Sequence, residues 1–387
     1  MTVVVNNSIA GGGGSVSASD PTILGSLNAS ATWAPPPGLV FSKWGAAKAR
    51  SSANPARFML NGDSNTVGEG SGSGAIGLDG ARALGMMRQF CTTARFLDAG
   101  MFGEQNVSTG AEAPAVYDPR IALGTGWVVD TAPGTFGGRF LTAPGGSAGS
   151  LTFSPGVTCT SIDFWYPQAA SANTAIVVMI DGLQVDTFNQ AGASAYLKRS
   201  YTVTPGVHNI SVSGGATGTL FVSGFVVYNG GSAVGLHGGW CAGKTADMGG
   251  VSNPWSNQNA AVALQPDFVM YYCTINDSKV PTALATVYSQ VEAYVSALSP
   301  IADGVLVTGY PSSTAGTTSG VLDQYANALR RIANDYGWAY YDARAVLKSS
   351  NTGALNAGLR YDNDHPNLTG HQLYANSIYA KLASVGF

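Results

Sequence analysis

Charge is scarce in this chain. Only 11% of its 387 residues are Asp, Glu, Lys or Arg, so most of the surface must be built from Ser, Thr, Asn, Gly and backbone. The formal net charge of −3 provides no basic footprint for nucleic acid. Cysteine is scarce too. Cys91, Cys159, Cys241 and Cys273 have neither metal-ligand spacing nor the density of a disulfide framework, so free and mostly buried thiols are expected, with no metal. No apolar run reaches the roughly 18 residues of a membrane span. Met1 to Asn7 lack the basic start and long apolar stretch of a secretory signal. A protein of this kind working outside a cell would leave by lysis, in a phage particle, or with a signal that this stretch does not contain.

What is present is apolar and turn-rich. Hydrophobic residues make up 45%, ample for more than one core, and the 51 glycines suit loop-rich β structure. Residues 1–50, with Gly11 to Gly14 and Pro35-Pro36-Pro37, read as a flexible or attachment arm. From Arg57 onward, short apolar runs alternate with amphipathic stretches. The run Phe58-Met59-Leu60 precedes a helix expected from about Asp79 to Arg95. Phe268 to Cys273 precedes one from Ala283 to Leu298, and Gly304 to Thr308 precedes one through Leu322, Leu329 and Tyr336. A strand at Trp338 to Tyr341 and a last helix through Ala375, Ile378 and Leu382 complete the series. Strands alternating with helices predict an α/β fold with a doubly wound parallel sheet, whose ligands bind at the carboxyl ends of the strands.

Residues 117–228 break that rhythm. Runs such as Ser161 to Tyr166, Ala175 to Ile180 and Asn209 to Val212 are separated by turn signals at Pro155-Gly156, Asp181-Gly182 and Pro205-Gly206. Many short strands at near-regular spacing predict an antiparallel sandwich. The α/β domain would then be split into 51–116 and 229–387 around an insert.

Three segments carry chemistry. Gly62-Asp63-Ser64-Asn65 follows the first strand, Thr274-Ile275-Asn276-Asp277 follows another, and Asp362-Asn363-Asp364-His365-Pro366-Asn367 lies near the C-terminus. A serine hydroxyl is a poor nucleophile until a histidine takes its proton and an acid orients that histidine, and these segments supply all three groups. Gly145-Gly146-Ser147-Ala148-Gly149 also matches a nucleophile-elbow pattern, but it stands in a Gly/Ser-rich turn without the strand-to-helix context that the elbow needs.

In this order the segments resemble the SGNH (GDSL-type) hydrolase family, in which Ser, Gly, Asn and His come from four blocks at one end of a sheet; the resemblance spans about two thirds of the chain. It implies a flavodoxin-like three-layer fold and a serine esterase that needs no cofactor. Ser64 would be the nucleophile and His365 the base. The resemblance places the acid at Asp362, whose three-residue offset lets it fold back onto the ring, with Asp364 the competing position. The oxyanion would be held by Ser64 N–H, the Asn276 side chain and a glycine N–H, either Gly243, favoured because a helical stretch should follow the true block, or Gly103. Thr274 stands where family sequences usually have Gly, as does Trp240.

The insert resembles the jelly-roll, carbohydrate-binding-module-like domain of some polysaccharide-acting and phage-associated members. That analogy implies an acetylated polysaccharide as substrate, with Trp240, Trp255 and Tyr272 as contacting aromatics and an extracellular or virion-associated setting. The other readings are a non-catalytic receptor- or glycan-binding virion module, and a lipase or thioesterase of the same family.

Overall fold

The structure is a computed structural model that describes residues 33–68, 70, 86–98, 120–130, 136–138, 140–146, 149–215, 217–239, 243–312, 319–347 and 358–387. Its centre is a seven-stranded sheet built from β1 (Trp33–Ala34), β2 (Arg57–Gly62), β3 (Leu97–Asp98), β4 (Val234–Gly239), β5 (Phe268–Cys273), β6 (Asp303–Thr308) and β7 (Ala339–Asp342). The spatial order is β1-β7-β6-β5-β2-β4-β3, parallel throughout except where β1 meets β7. The chain leaves β2 for one side of the sheet and later returns to the other at β5. Such a reversal of strand order opens a crevice at the carboxyl ends of the strands, and β2 ends two residues before Ser64.

β2, β5 and β6 are continuous apolar runs because helices cover both faces of the sheet. The helices used below are α1 (Ser42–Ala49), α2 (Ser64–Val67), α3 (Met86–Ala94), α4 (Ile275–Lys279), α5 (Leu284–Leu298), α6 (Ser319–Asp335) and α7 (Leu368–Ala383). On one face Phe58, Leu60, Met270 and Val305 pack with residues of α1, α3 and α7. On the other, Met59, Val269 and Leu306 pack with α5 and α6. Among the described residues no helix is long and apolar enough to cross a membrane.

The expected flexible arm is corrected where its residues are described. Residues 33–50 belong to the fold: β1 pairs with β7, and α1 buries Trp44 and Ala47 completely. The reason is aromatic packing that no local pattern announces. Trp44 stacks on Phe387 at 5.1 Å and meets Phe268 edge-on at 5.9 Å, while its backbone N–H donates to the Asp303 carboxylate at 2.9 Å. The expected helix from Asp79 is described only as Met86–Ala94; residues 79–85 lie outside the described residues.

Among the described residues between Ile121 and Tyr228 every strand pair is antiparallel, in one five-stranded and two three-stranded sheets. Asp181-Gly182 forms the expected hairpin turn, both residues having positive φ. Pro205-Gly206 does not turn the chain. It sits inside the strand Ala195–Val207 where the pairing register with Thr158–Gln168 slips, because a residue without N–H is tolerated only where the ladder is broken. This β region shares a core with the parallel sheet. The ring of Phe136 lies so close to Gly238 of β4 that a Cβ there would come within 2.4 Å of it.

Replacing Trp44 with Ala removes a fully buried ring and should cost about 3–5 kcal/mol of stability, read by urea unfolding. A change below about 1 kcal/mol would mean that α1 is only loosely attached.

Candidate functional site

Gly62 ends β2 because nothing larger fits there: a Cβ would lie 2.5 Å from the Tyr272 carbonyl oxygen and 2.6 Å from Thr66 Cγ2. Asp63 then caps α2, its Oδ1 accepting the Asn65 backbone N–H and side-chain amide at 2.9 Å each. Ser64 is thereby the first residue of a helical turn whose leading N–H groups have no intrahelical partner, and it is 6% exposed. Burial pushes the Asp63 carboxyl up to about 7, against the opposing pull of the Asn65 hydrogen bonds and of His365.

His365 comes from the far end of the chain on a tightly tied loop. Asn367 N–H donates to Leu359 O at 3.0 Å, Tyr361 N–H donates to His365 O at 2.9 Å, and Asn367 caps α7 by accepting Gly370 N–H at 3.0 Å. Arg360 lies 4.1 Å from the Tyr310 ring and donates to Pro311 O at 2.7 Å. Gly70 must be glycine here: its φ is +86°, and a Cβ would come within 2.5 Å of Pro366 O.

The loop delivers a connected line of three side chains. His365 Nδ1 lies 3.0 and 2.9 Å from the two Asp362 carboxylate oxygens. A carboxylate can only accept, so Nδ1 carries the proton and Nε2 is left as the acceptor that faces the Ser64 hydroxyl at 2.9 Å. Asp362 Oδ1 also accepts the backbone N–H of Asp364 and of His365, each at 2.7 Å. Burial alone would raise the Asp362 carboxyl; the hydrogen bond and charge of His365, with these two N–H groups, outweigh it and hold the carboxyl below its usual range. Asp364 is engaged elsewhere, taking Lys279 Nζ at 2.6 Å and the Ser312 hydroxyl.

Asn276 is the second residue of α4, just past β5. Its Nδ2 donates to Gly243 O at 3.0 Å, which ties this helix to the segment following β4. Thr274 takes the position where glycine is usual and adopts φ +86°, a left-handed conformation that a β-branched residue enters only under strain. Gly309 N–H donates to its Oγ1 at 3.2 Å. Asp277 accepts the Thr245 backbone N–H and hydroxyl at 3.1 Å each, bracing the same turn, and burial raises its carboxyl.

The expected aromatic contacts fare differently. Tyr272 is a correction: it is fully buried in the core between β5 and α7, edge-on to Tyr374 at 6.1 Å, because alternation along a strand covered on both faces turns it inward. Trp255 is partly buried on the turn before Asn257–Ala263. Trp240, Gly103 and Ser147 lie outside the described residues. Sequence reasoning gave no part to Tyr310, Ser312, Lys279 and Arg360. Lys279 alone had a signal, standing one helical turn after Asn276.

Residues 227–373 match the GDSL-like lipase/acylhydrolase family, a span that includes Gly243, Asn276, Asp362 and His365 but not Ser64. A solved peptidoglycan O-acetylesterase structure has a similar fold, with a TM-score of 0.63 at 16% identity over 92% of this chain and 97% of its own. An acetylxylan esterase from Geobacillus stearothermophilus, 19% identical, aligns over 40% of this chain and 74% of its own with a TM-score of 0.33. A family 35 carbohydrate-binding module from Clostridium thermocellum, 17% identical, aligns over 29% of this chain and 93% of its own with a TM-score of 0.24. No curated protein sequence matches significantly. Over residues 227–373 the chain is thus similar to a GDSL-like lipase/acylhydrolase domain.

Proposed function

We propose that this protein is a serine esterase that removes O-acetyl groups from a polysaccharide through an acyl-enzyme intermediate. The observation that carries the reading is the hydrogen-bonded line from the Ser64 hydroxyl through His365 to Asp362. Ser64 Oγ attacks the ester carbonyl carbon while His365 Nε2 takes the hydroxyl proton. Charge developing on the carbonyl oxygen meets Ser64 N–H, Gly243 N–H and Asn276 Nδ2. The Asn276 amide has two N–H groups, and Gly243 O engages only one of them. His365 then gives its proton to the departing sugar hydroxyl, leaving acetyl-Ser64. Water attacks that ester with His365 again as base, and acetate leaves.

Two further choices follow. Gly243 is favoured over Gly103 because β4, which leads to Gly243, is the neighbour of β2, whereas β3, which leads towards Gly103, lies beyond it at the sheet edge. The acid is Asp362, since Asp364 is already engaged by Lys279 and Ser312. The polysaccharide preference and an extracellular or virion setting rest on the fold likeness to a peptidoglycan O-acetylesterase and on the antiparallel insert, read as a jelly roll.

Ser64→Ala and His365→Ala should each abolish hydrolysis of p-nitrophenyl acetate and release of acetate from acetylated polysaccharides, with circular dichroism unchanged. Retention of most of the rate by either folded variant would overturn the assignment. Asp362→Asn should cost about 10⁴ in kcat, far more than Asp364→Asn, because it strands the imidazole in the wrong tautomer; the reverse order would move the acid to Asp364.

Asn276→Ala should lower kcat by about 10²–10³ with KM little changed. An effect confined to KM would make Asn276 a substrate-binding group instead.

A further inference from the structure

Asn276 and His365 sit on separate elements, and a proton acceptor is of little use if the oxyanion donor drifts relative to it. One ion pair joins the two elements. Lys279, the last residue of α4, donates to Asp364 Oδ2 at 2.6 Å, and Asp364 immediately precedes His365. The two side chains are only 27% and 20% exposed, so the pair is screened less than a surface salt bridge.

The contact does not stand alone. The Ser312 hydroxyl donates to the other Asp364 oxygen, and the Tyr310 hydroxyl lies 2.7 Å from the Asp364 carbonyl oxygen and also against Asn65 Oδ1. Asn65 in turn holds the Asp63 cap of the turn that presents Ser64. The Asp364 backbone N–H donates to Asp362. Asp364 is therefore a node in contact with the acid and the Asn276 helix and linked through Tyr310 to the nucleophile turn. α4 is only five residues long and follows a strained residue, so it has little rigidity of its own.

We propose that the Lys279–Asp364 ion pair is a positioning device that holds the Asn276 donor and the His365 base in register with each other. The inference rests on the esterase reading above. Neither residue touches the reacting atoms. Their part is to keep two groups from separate elements within the few tenths of an ångström that the transition state tolerates.

The test compares Lys279→Met, Asp364→Asn, the double variant and Lys279→Arg. The readouts are kcat and KM on p-nitrophenyl acetate, the rate of Ser64 labelling by a fluorophosphonate, and Tm. Each single variant should lose about 10- to 100-fold in kcat and in labelling rate, with KM within about twofold. The double variant should be no slower than the slower single, because both remove one shared interaction. Lys279→Arg should recover most of the rate by restoring the ion pair.

A Lys279→Met rate within about twofold of wild type overturns the proposal, as do losses that multiply in the double variant. So does a slow Lys279→Met beside an unaffected Asp364→Asn, because that pattern makes Lys279 a bare charge acting on the oxyanion. Should Lys279→Met fail to fold, Asp364→Asn and Lys279→Arg carry the same comparison. A wild type that is labelled at Ser64 but hydrolyses no acetyl ester sinks the acetylesterase reading, and the labelling rates then judge the ion pair by themselves.

Discussion

The Ser64–His365 hydrogen bond joins residues 301 positions apart, and the rest of the candidate site is arranged around making that contact dependable. Closing so long a loop costs chain entropy, which the parallel sheet and its two cores offset before any catalytic group is placed. What remains is local stiffness. Asp63 fixes the turn at Ser64, and Asn367 fixes the start of α7. Arg360 lies against the Tyr310 ring, and Gly70 approaches Pro366 and His365 more closely than a residue with a Cβ could. None of these groups reacts in the proposed mechanism, yet together they decide whether the imidazole faces the hydroxyl.

The antiparallel region is not a bead on a string. Its core is continuous with one face of the parallel sheet, and Phe136 presses on Gly238 in the strand that precedes Gly243. A region packed in this way can brace the proposed oxyanion segment as well as contribute surface for a polymer. Arg57 at the start of β2 adds a second tie, lying 5.7 Å from the Tyr228 ring at the end of the antiparallel region.

Strain and unpaired polarity gather beside the same site. Thr274 holds a left-handed conformation just before Asn276, Asp63 Oδ2 is buried without a partner, and burial raises the carboxyls of Asp63 and Asp277. Each is unfavourable taken singly and is sustained by packing around it, a distribution common at functional sites.

The sequence by itself carried the chemistry and the periodicities. The candidate residues Ser64, Asn276, Asp362 and His365 stood out because each belongs to a short motif beside a predicted element. The strands and helices of the sheet were legible because a buried parallel strand is a continuous apolar run and a covering helix repeats at 3.6 residues. Tertiary structure alone decided the rest. Residues 33–50 join the fold through aromatic partners hundreds of positions away, Tyr272 faces the core because both sides of its strand are covered, and Pro205-Gly206 continues a strand because its partner's register slips there. The contacts of Asp364 are of the same kind: Lys279 reaches it from α4, and Ser312 and Tyr310 reach it from the loop after β6, and no local spacing encodes contacts between segments so far apart in the chain.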